Sequence, residues 1–290
     1  MKTLYRSFAT QAQIDAQYNP ALPLPDAAAP GQHYARQAAH ARATLRSELD
    51  VAYGPSLPET LDIFPAASPN APVFVFLHGG YWRALSSKDF SGVALGLQPL
   101  GITTVVVNYA LCPHVTIDEI TRQARAALVW TWRNIARFGG DPTRLALGGH
   151  SAGAHLTAMC LQTPWTDDYG LPTDPLAAAL LISGIYDIAP LRYSYLQAMI
   201  QLDDGIIGRN SPLFSVRPCK TPVSIHWGAQ ETPEFARQST SFHQAWLAMG
   251  NTGTLSELAG ADHYRAIHGL EDSSSVLSQY LSRILNKKCL

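Results

Sequence analysis

The stretch LGGHSAGAHL, Leu147 to Leu156, follows directly on the apolar run RLAL and sets one serine between two glycines. Gly149, Ser151 and Gly153 match G-x-S-x-G. That pattern belongs to a strand-to-helix turn so sharp that the serine hydroxyl stands exposed above a sheet, and it demands a strand before it and a helix after it. Both flanks read that way here. Side chains at the glycine positions would collide with the tight backbone or with neighbouring elements. Glycine and serine are also common in ordinary turns, so the pentapeptide needs support from elsewhere in the chain.

Support comes first from FLHGGYW, ending at Trp82, some seventy residues upstream at the close of another apolar run. An H-G-G turn in that place leaves backbone N–H groups free to meet an oxyanion, with Gly80 and Tyr81 as donors and Ala152, after the serine, as the third. A histidine is then required after the last strand. Of the ten in the chain, His263 in GADHYRAI lies there. His33 and His40 fall in an N-terminal arm, His155 inside the helix after the serine and His226 in mid-strand, while His78 and His150 shape turns. An acid must orient the imidazole and stabilise its protonated form, from a strand end between serine and histidine. Glu231, closing VSIHWGAQE, fits the next-to-last strand; Asp187, closing ALLISGIYD, is the alternative.

Composition narrows the classes. The chain has 290 residues, 47% hydrophobic and 15% charged, with a net charge of -1. It is long enough for a sizeable core and lacks the basic surface that a phosphate backbone or an anionic membrane would need. A small-molecule substrate is expected, with neither nucleic acid nor membrane as partner. The opening residues carry no continuous apolar segment of a leader, and no interior run is long enough to span a bilayer, so a cytoplasmic location is the expectation. Cys112, Cys160, Cys219 and Cys289 are scattered without a C-x-x-C pair, and read as reduced, mostly buried residues. No histidines and carboxylates cluster at ligand spacing, so neither metal nor other cofactor is expected.

Apolar runs of strand length alternate with helical patterns from VFVFLHGG to GTLSELAGADH, which predicts an α/β fold with a mostly parallel central sheet flanked by helices. LRSELDVAYG and ETLDIFPA form an antiparallel pair ahead of it, turned by PSLP. Thr116 to Glu119 reads as a capping box opening a helix that Gly139 and Gly140 end. Pro233 opens another helix, with Phe235, Phe242 and Trp246 on one face. The reading is one domain over 1–290, with an N-terminal arm over 1–45 and a cap insertion over 190–220, where the pattern loosens.

At these residues the chain resembles the α/β-hydrolase superfamily, and within its esterase and lipase group the serine-dependent arylformamidase (kynurenine formamidase) family. The narrower resemblance rests on HGGYW, GHSAGAHL, SGIYD, ETPEFARQS and DHY, and on the opening YRSFATQAQIDAQYN. Members often carry aspartate where this chain has Glu231; glutamate serves elsewhere in the fold. The resemblance implies hydrolysis of an aryl formamide such as N-formylkynurenine, with Ser151, Glu231 and His263 as the triad. Tyr81 and Trp82 are placed to wall the aryl group, with core packing as the competing role. A carboxylesterase, or a hydrolase of other amides or carbamates, would use the same triad. A non-catalytic binding protein on this scaffold would normally lack one of its members, and here all are present.

Overall fold

The computed structural model describes residues 3–286. Its centre is an eight-stranded sheet of β1 (Glu48–Ala52), β2 (Thr60–Phe64), β3 (Ala71–Leu77), β4 (Thr103–Val107), β5 (Gly140–His150), β6 (Ala178–Ile182), β7 (Val223–Gly228) and β8 (Gly253–Leu258). Their spatial order is β1-β2-β4-β3-β5-β6-β7-β8. β1 and β2 are antiparallel, as their alternation predicts, and β2 runs antiparallel to β4; every pair from β4 through β8 is parallel.

β3, β4 and β6 are buried at every position, as strands covered on both faces must be. Their period of two sorts side chains between two layers. Val73, Val75 and Leu77 join one apolar cluster, with Leu145, Leu147, Ala179 and Leu181. Phe74 and Phe76 join the other, with Ala146, Leu180 and Ile182. The first layer takes the helices Ile117–Asn134, Ala152–Leu161 and Pro233–Ala248; the second takes Val93–Leu97 and Val276–Leu285.

The predicted caps are present with one change. Thr116 accepts the Glu119 N–H, but the Glu119 carboxylate turns outward to Arg122 and Gln123, leaving the capping box half made. The helix ends at Asn134 and a 3-10 turn carries the chain to Gly139, whose φ of 79° suits glycine; Gly140 already belongs to β5. Pro233 sits in the first turn of its helix, and Phe235, Phe242 and Trp246 are buried.

Residues 3–45 straddle the sheet. Ile14 and Tyr18, on the helix Gln11–Tyr18, belong to one apolar cluster, and Tyr34, on the helix Ala29–Thr44, belongs to the other. Residues 190–220 form short helical turns between β6 and β7. Cys112 and Cys160 are buried free thiols and Cys219 is partly exposed; Cys289 lies outside the described residues. No helix among the described residues is long and apolar enough to cross a membrane.

Five histidines titrate against the fold. Burial lowers His78, His155, His226 and His268 from the ordinary 6.5 to about 4, and holds His150 well below the ordinary value. Each takes up its proton near 6.5 when unfolded but resists until far lower pH when folded. Between those values the unfolded chain binds more protons, so stability is complete above about pH 6.5 and is lost as pH falls. His78, His155 and His226 each contribute up to about 3 kcal/mol of this loss. Urea unfolding from pH 7.5 to 4.5 should show a steadily falling free energy; a flat profile would contradict the buried, neutral state of these rings.

Candidate active site

Parallel strands end level with one another, and here the ends of β3, β5, β6, β7 and β8 carry the site. Leu77 pairs with Gly149, Gly149 with Leu181, and His150 with Ile182, so the turns after β3, β5 and β6 emerge side by side. Ser151 follows β5 at φ 57° and ψ -118°, a left-handed conformation that costs a non-glycine residue about 1–3 kcal/mol. Its N–H is anchored on the Ile182 carbonyl at 2.8 Å. The flanking glycines are sterically compelled. A Cβ on Gly153 would lie 1.9 Å from the Leu77 oxygen, and one on Gly149 would lie 2.3 Å from the Gly153 backbone.

The turn after β3 presents unused donors. Among the described residues the N–H groups of Gly80, Tyr81 and Ala152 donate to no protein acceptor. Gly80 has a φ of 110°, and Tyr81 and Trp82 are also left-handed. His78 fixes this turn from below: its ring stacks on Tyr109 at 4.1 Å, and the Tyr109 hydroxyl donates to the His78 carbonyl at 2.6 Å.

His263 and Glu231 are in direct contact. His263 Nδ1 lies 2.8 Å from Glu231 Oε2, with the glutamate side chain fully buried. Glu231 Oε1 accepts from the Gly228 N–H at 2.6 Å and from the Ser183 hydroxyl. The longer acid therefore reaches the imidazole from a loop whose approach depends on Gly228, where a Cβ would lie 2.4 Å from the Ala261 oxygen. Asp187 is placed elsewhere. It accepts from the Tyr5 hydroxyl at 2.6 Å and from the Ala189 N–H, and has no contact with His263. Its carboxylate is instead taken up by Tyr5 of the N-terminal arm.

His150 has more than the turn-shaping part expected of it. Its Nε2 donates to the His263 carbonyl at 2.8 Å, linking the residue before the serine to the loop bearing the imidazole. Burial and the neighbouring His263 ring lower its pKa well below the usual range, so it stays a neutral donor. Phe235 packs on the His263 ring at 4.5 Å.

Ser151 and His263 line one cavity of about 380 Å³. Tyr34, Tyr81, Phe90, Tyr195 and Tyr264 give it an aromatic wall, and Asn19 to Ala21 of the N-terminal segment close one side. Trp82 does not belong to that wall. It is fully buried, with its ring edge-on to His155 at 4.8 Å, so the core-packing alternative holds for it. The N-terminal segment is held by polar contacts that sequence spacing does not reveal. Tyr18 donates to Glu234, Thr232 to the Gln17 carbonyl and Tyr34 to the Tyr264 carbonyl. Two of these anchors sit one residue from Glu231 or His263.

One group of metal-type donors exists among the described residues: His33, His268 and Glu271. It lies apart from Ser151, beside a second cavity of about 540 Å³. His268 and Glu271 lie three residues apart, but His33 comes from the N-terminal arm, so spacing along the chain does not join the three. His33 is already paired with Glu271 at 2.7 Å, and its ring stacks on His268 at 3.8 Å.

Comparison with known proteins agrees with this geometry. Residues 74–210 match the model of an alpha/beta hydrolase fold family. The chain is 32% identical to a kynurenine formamidase of Salmo salar and 30% identical to one of Danio rerio, covering 85% of each chain in both cases. Over 83% of this chain and 60% of the relative it is 27% identical to the esterase LipQ of Mycobacterium tuberculosis. A solved structure from Silicibacter sp., described as a thioesterase, superposes with a TM-score of 0.83 at 26% identity, covering 94% of this chain and 98% of that one.

The glycine constraint is open to direct test. Gly153→Ala should destabilise the protein by about 2–4 kcal/mol, since a backbone carbonyl has to move. Substituting Gly139, whose Cβ would meet nothing, tests only the strain of its positive φ and should cost about 1 kcal/mol. Equal unfolding midpoints for the two alanine variants would contradict the packing described.

Proposed function

Because the chain belongs to the kynurenine formamidase family of α/β-hydrolases, we propose that it hydrolyses aryl formamides such as N-formylkynurenine to the aryl amine and formate. The observation that carries this reading is the meeting of Ser151 and His263 in one aromatic cavity, with Glu231 hydrogen-bonded behind the imidazole.

In the proposed reaction Ser151 Oγ attacks the formyl carbon while His263 Nε2 takes its proton. Glu231 holds the Nδ1–H tautomer and stabilises the imidazolium. The carbonyl oxygen, becoming an oxyanion, meets the free N–H groups of Gly80, Tyr81 and Ala152, which need no reorganisation to receive it. As the C–N bond breaks, His263 returns the proton to the departing aryl amine, leaving a formyl ester on Ser151. Water, deprotonated by His263, attacks that ester; formate leaves and the serine regains its proton. A formyl carbon is unhindered, and an aryl amine leaves more readily than an alkyl amine, so esterase machinery suffices. The N-terminal arm and the 190–220 insertion, which contribute Asn19 to Ala21 and Tyr195 to the cavity, are proposed to cover the substrate.

Esterase relatives share the same elements, so the substrate decides between the readings. Steady-state kinetics with N-formylkynurenine and short p-nitrophenyl esters should give the higher kcat/KM for the formamide. Turnover of esters alone would assign a general esterase instead. Ser151→Ala should abolish turnover of both, a loss of about 10⁴-fold or more.

The acid is separable in the same assay. Glu231→Gln should lower kcat by about 10³- to 10⁴-fold. Asp187→Asn should leave kcat within a few-fold of wild type; a large loss in that variant, with Glu231→Gln active, would reverse the assignment.

A further inference from the structure

The cavity that holds Ser151 has an electrostatic imbalance. Arg83 is the one permanently charged side chain on its wall, and no aspartate or glutamate lines it. Arg83 forms no ion pair among the described residues, and its Nε is buried without a hydrogen-bond partner. The guanidinium lies over the Tyr195 ring, 6.0 Å from the centroid. Asp15 makes its contact there with the Tyr195 N–H at 2.8 Å. Position is fixed by the oxyanion turn itself, because the Arg83 N–H donates to the Gly80 carbonyl at 3.1 Å. A half-buried guanidinium lacking a counter-ion is costly unless something supplies one. Its planar fork of donors matches a carboxylate, to which it bonds through two parallel N–H groups.

We propose that Arg83 forms a carboxylate-binding subsite of the substrate cavity. This rests on the formamidase reading above and narrows it: the preferred substrate is an aryl formamide whose ring side chain carries a carboxylate, as the zwitterionic amino-acid side chain of N-formylkynurenine does. Ser151 and the oxyanion donors hold the formyl end, the aromatic wall holds the ring, and Arg83 receives the carboxylate. Arg83 is a specificity determinant and takes no part in proton transfer.

Two substrates separate this from a structural part for Arg83: N-formylkynurenine, and 2-formamidoacetophenone, which keeps the aryl formamide and the ketone but has no carboxylate. Arg83→Gln should reduce kcat/KM for the first by about 10- to 100-fold, chiefly through KM, and change the second by less than about 3-fold. Arg83→Lys should recover part of the loss, since it restores the charge without the fork. Equal losses on both substrates would assign Arg83 to holding the turn, and no loss on either would remove it from the cavity's function; each outcome overturns the proposal. Failure of the formamidase reading has a different signature, with neither formamide turned over by the wild type while p-nitrophenyl esters are. The subsite is then read by inhibition of ester hydrolysis. Kynurenine should inhibit more strongly than 2-aminoacetophenone in the wild type and lose that advantage in Arg83→Gln; equal inhibition by the two in the wild type would overturn it.

Discussion

Everything at the carboxyl edge of the sheet depends on how closely the start of the helix after Ser151 approaches the end of β3. Gly153 lies against the Leu77 carbonyl with no room for a methyl group. That approach forces the chain to reverse between β5 and the helix within one residue, and Ser151 absorbs the reversal in a left-handed conformation. The strain, of the order of 1–3 kcal/mol, is held by packing on both sides and by the bond to Ile182. Its consequence is chemical. A serine so held lies on the cavity wall, and the neighbouring Ala152 N–H, at the head of the helix, has no protein acceptor among the described residues.

A second layer of constraint ties separate loops to that turn. His150 reaches from the residue before the serine to the backbone of His263, and Glu231 reaches from the loop after β7 to its ring. Ser183, at the end of β6, completes the shell around Glu231. The imidazole is thus fixed by three strand ends, and neutral His150 adds no competing charge beside it. The N-terminal segment extends the network outward through Tyr18, Thr232 and Tyr34, so the wall of the cavity and its reactive groups share one set of supports.

What could be read from sequence was governed by locality. Ser151 and the β3 turn carry glycine patterns that only a few backbone shapes require, and the parallel strands carry runs that only a doubly covered sheet tolerates. His263 and Glu231 followed from their order along those strands. Trp82 was harder, since an aromatic at a strand end looks alike whether it faces a cavity or the core; its contact with His155 comes from a helix some seventy residues on. His150 and Ser183 are hidden for a related reason, because their partners are set by loop geometry after β8 and β7. The Glu119 side chain shows the limit of a local motif: the capping-box pattern was present, and nearby Arg122 outcompeted the backbone N–H for the carboxylate.

The central claim is that Ser151 is the nucleophile for formamide cleavage. Its most direct test is labelling with a fluorophosphonate, followed by peptide mass spectrometry and assay of residual N-formylkynurenine hydrolysis. The account predicts one phosphonyl group on Ser151, activity lost in proportion to labelling, and slower labelling when N-formylkynurenine or kynurenine occupies the cavity. Formamide hydrolysis that survives complete labelling of Ser151 would contradict it.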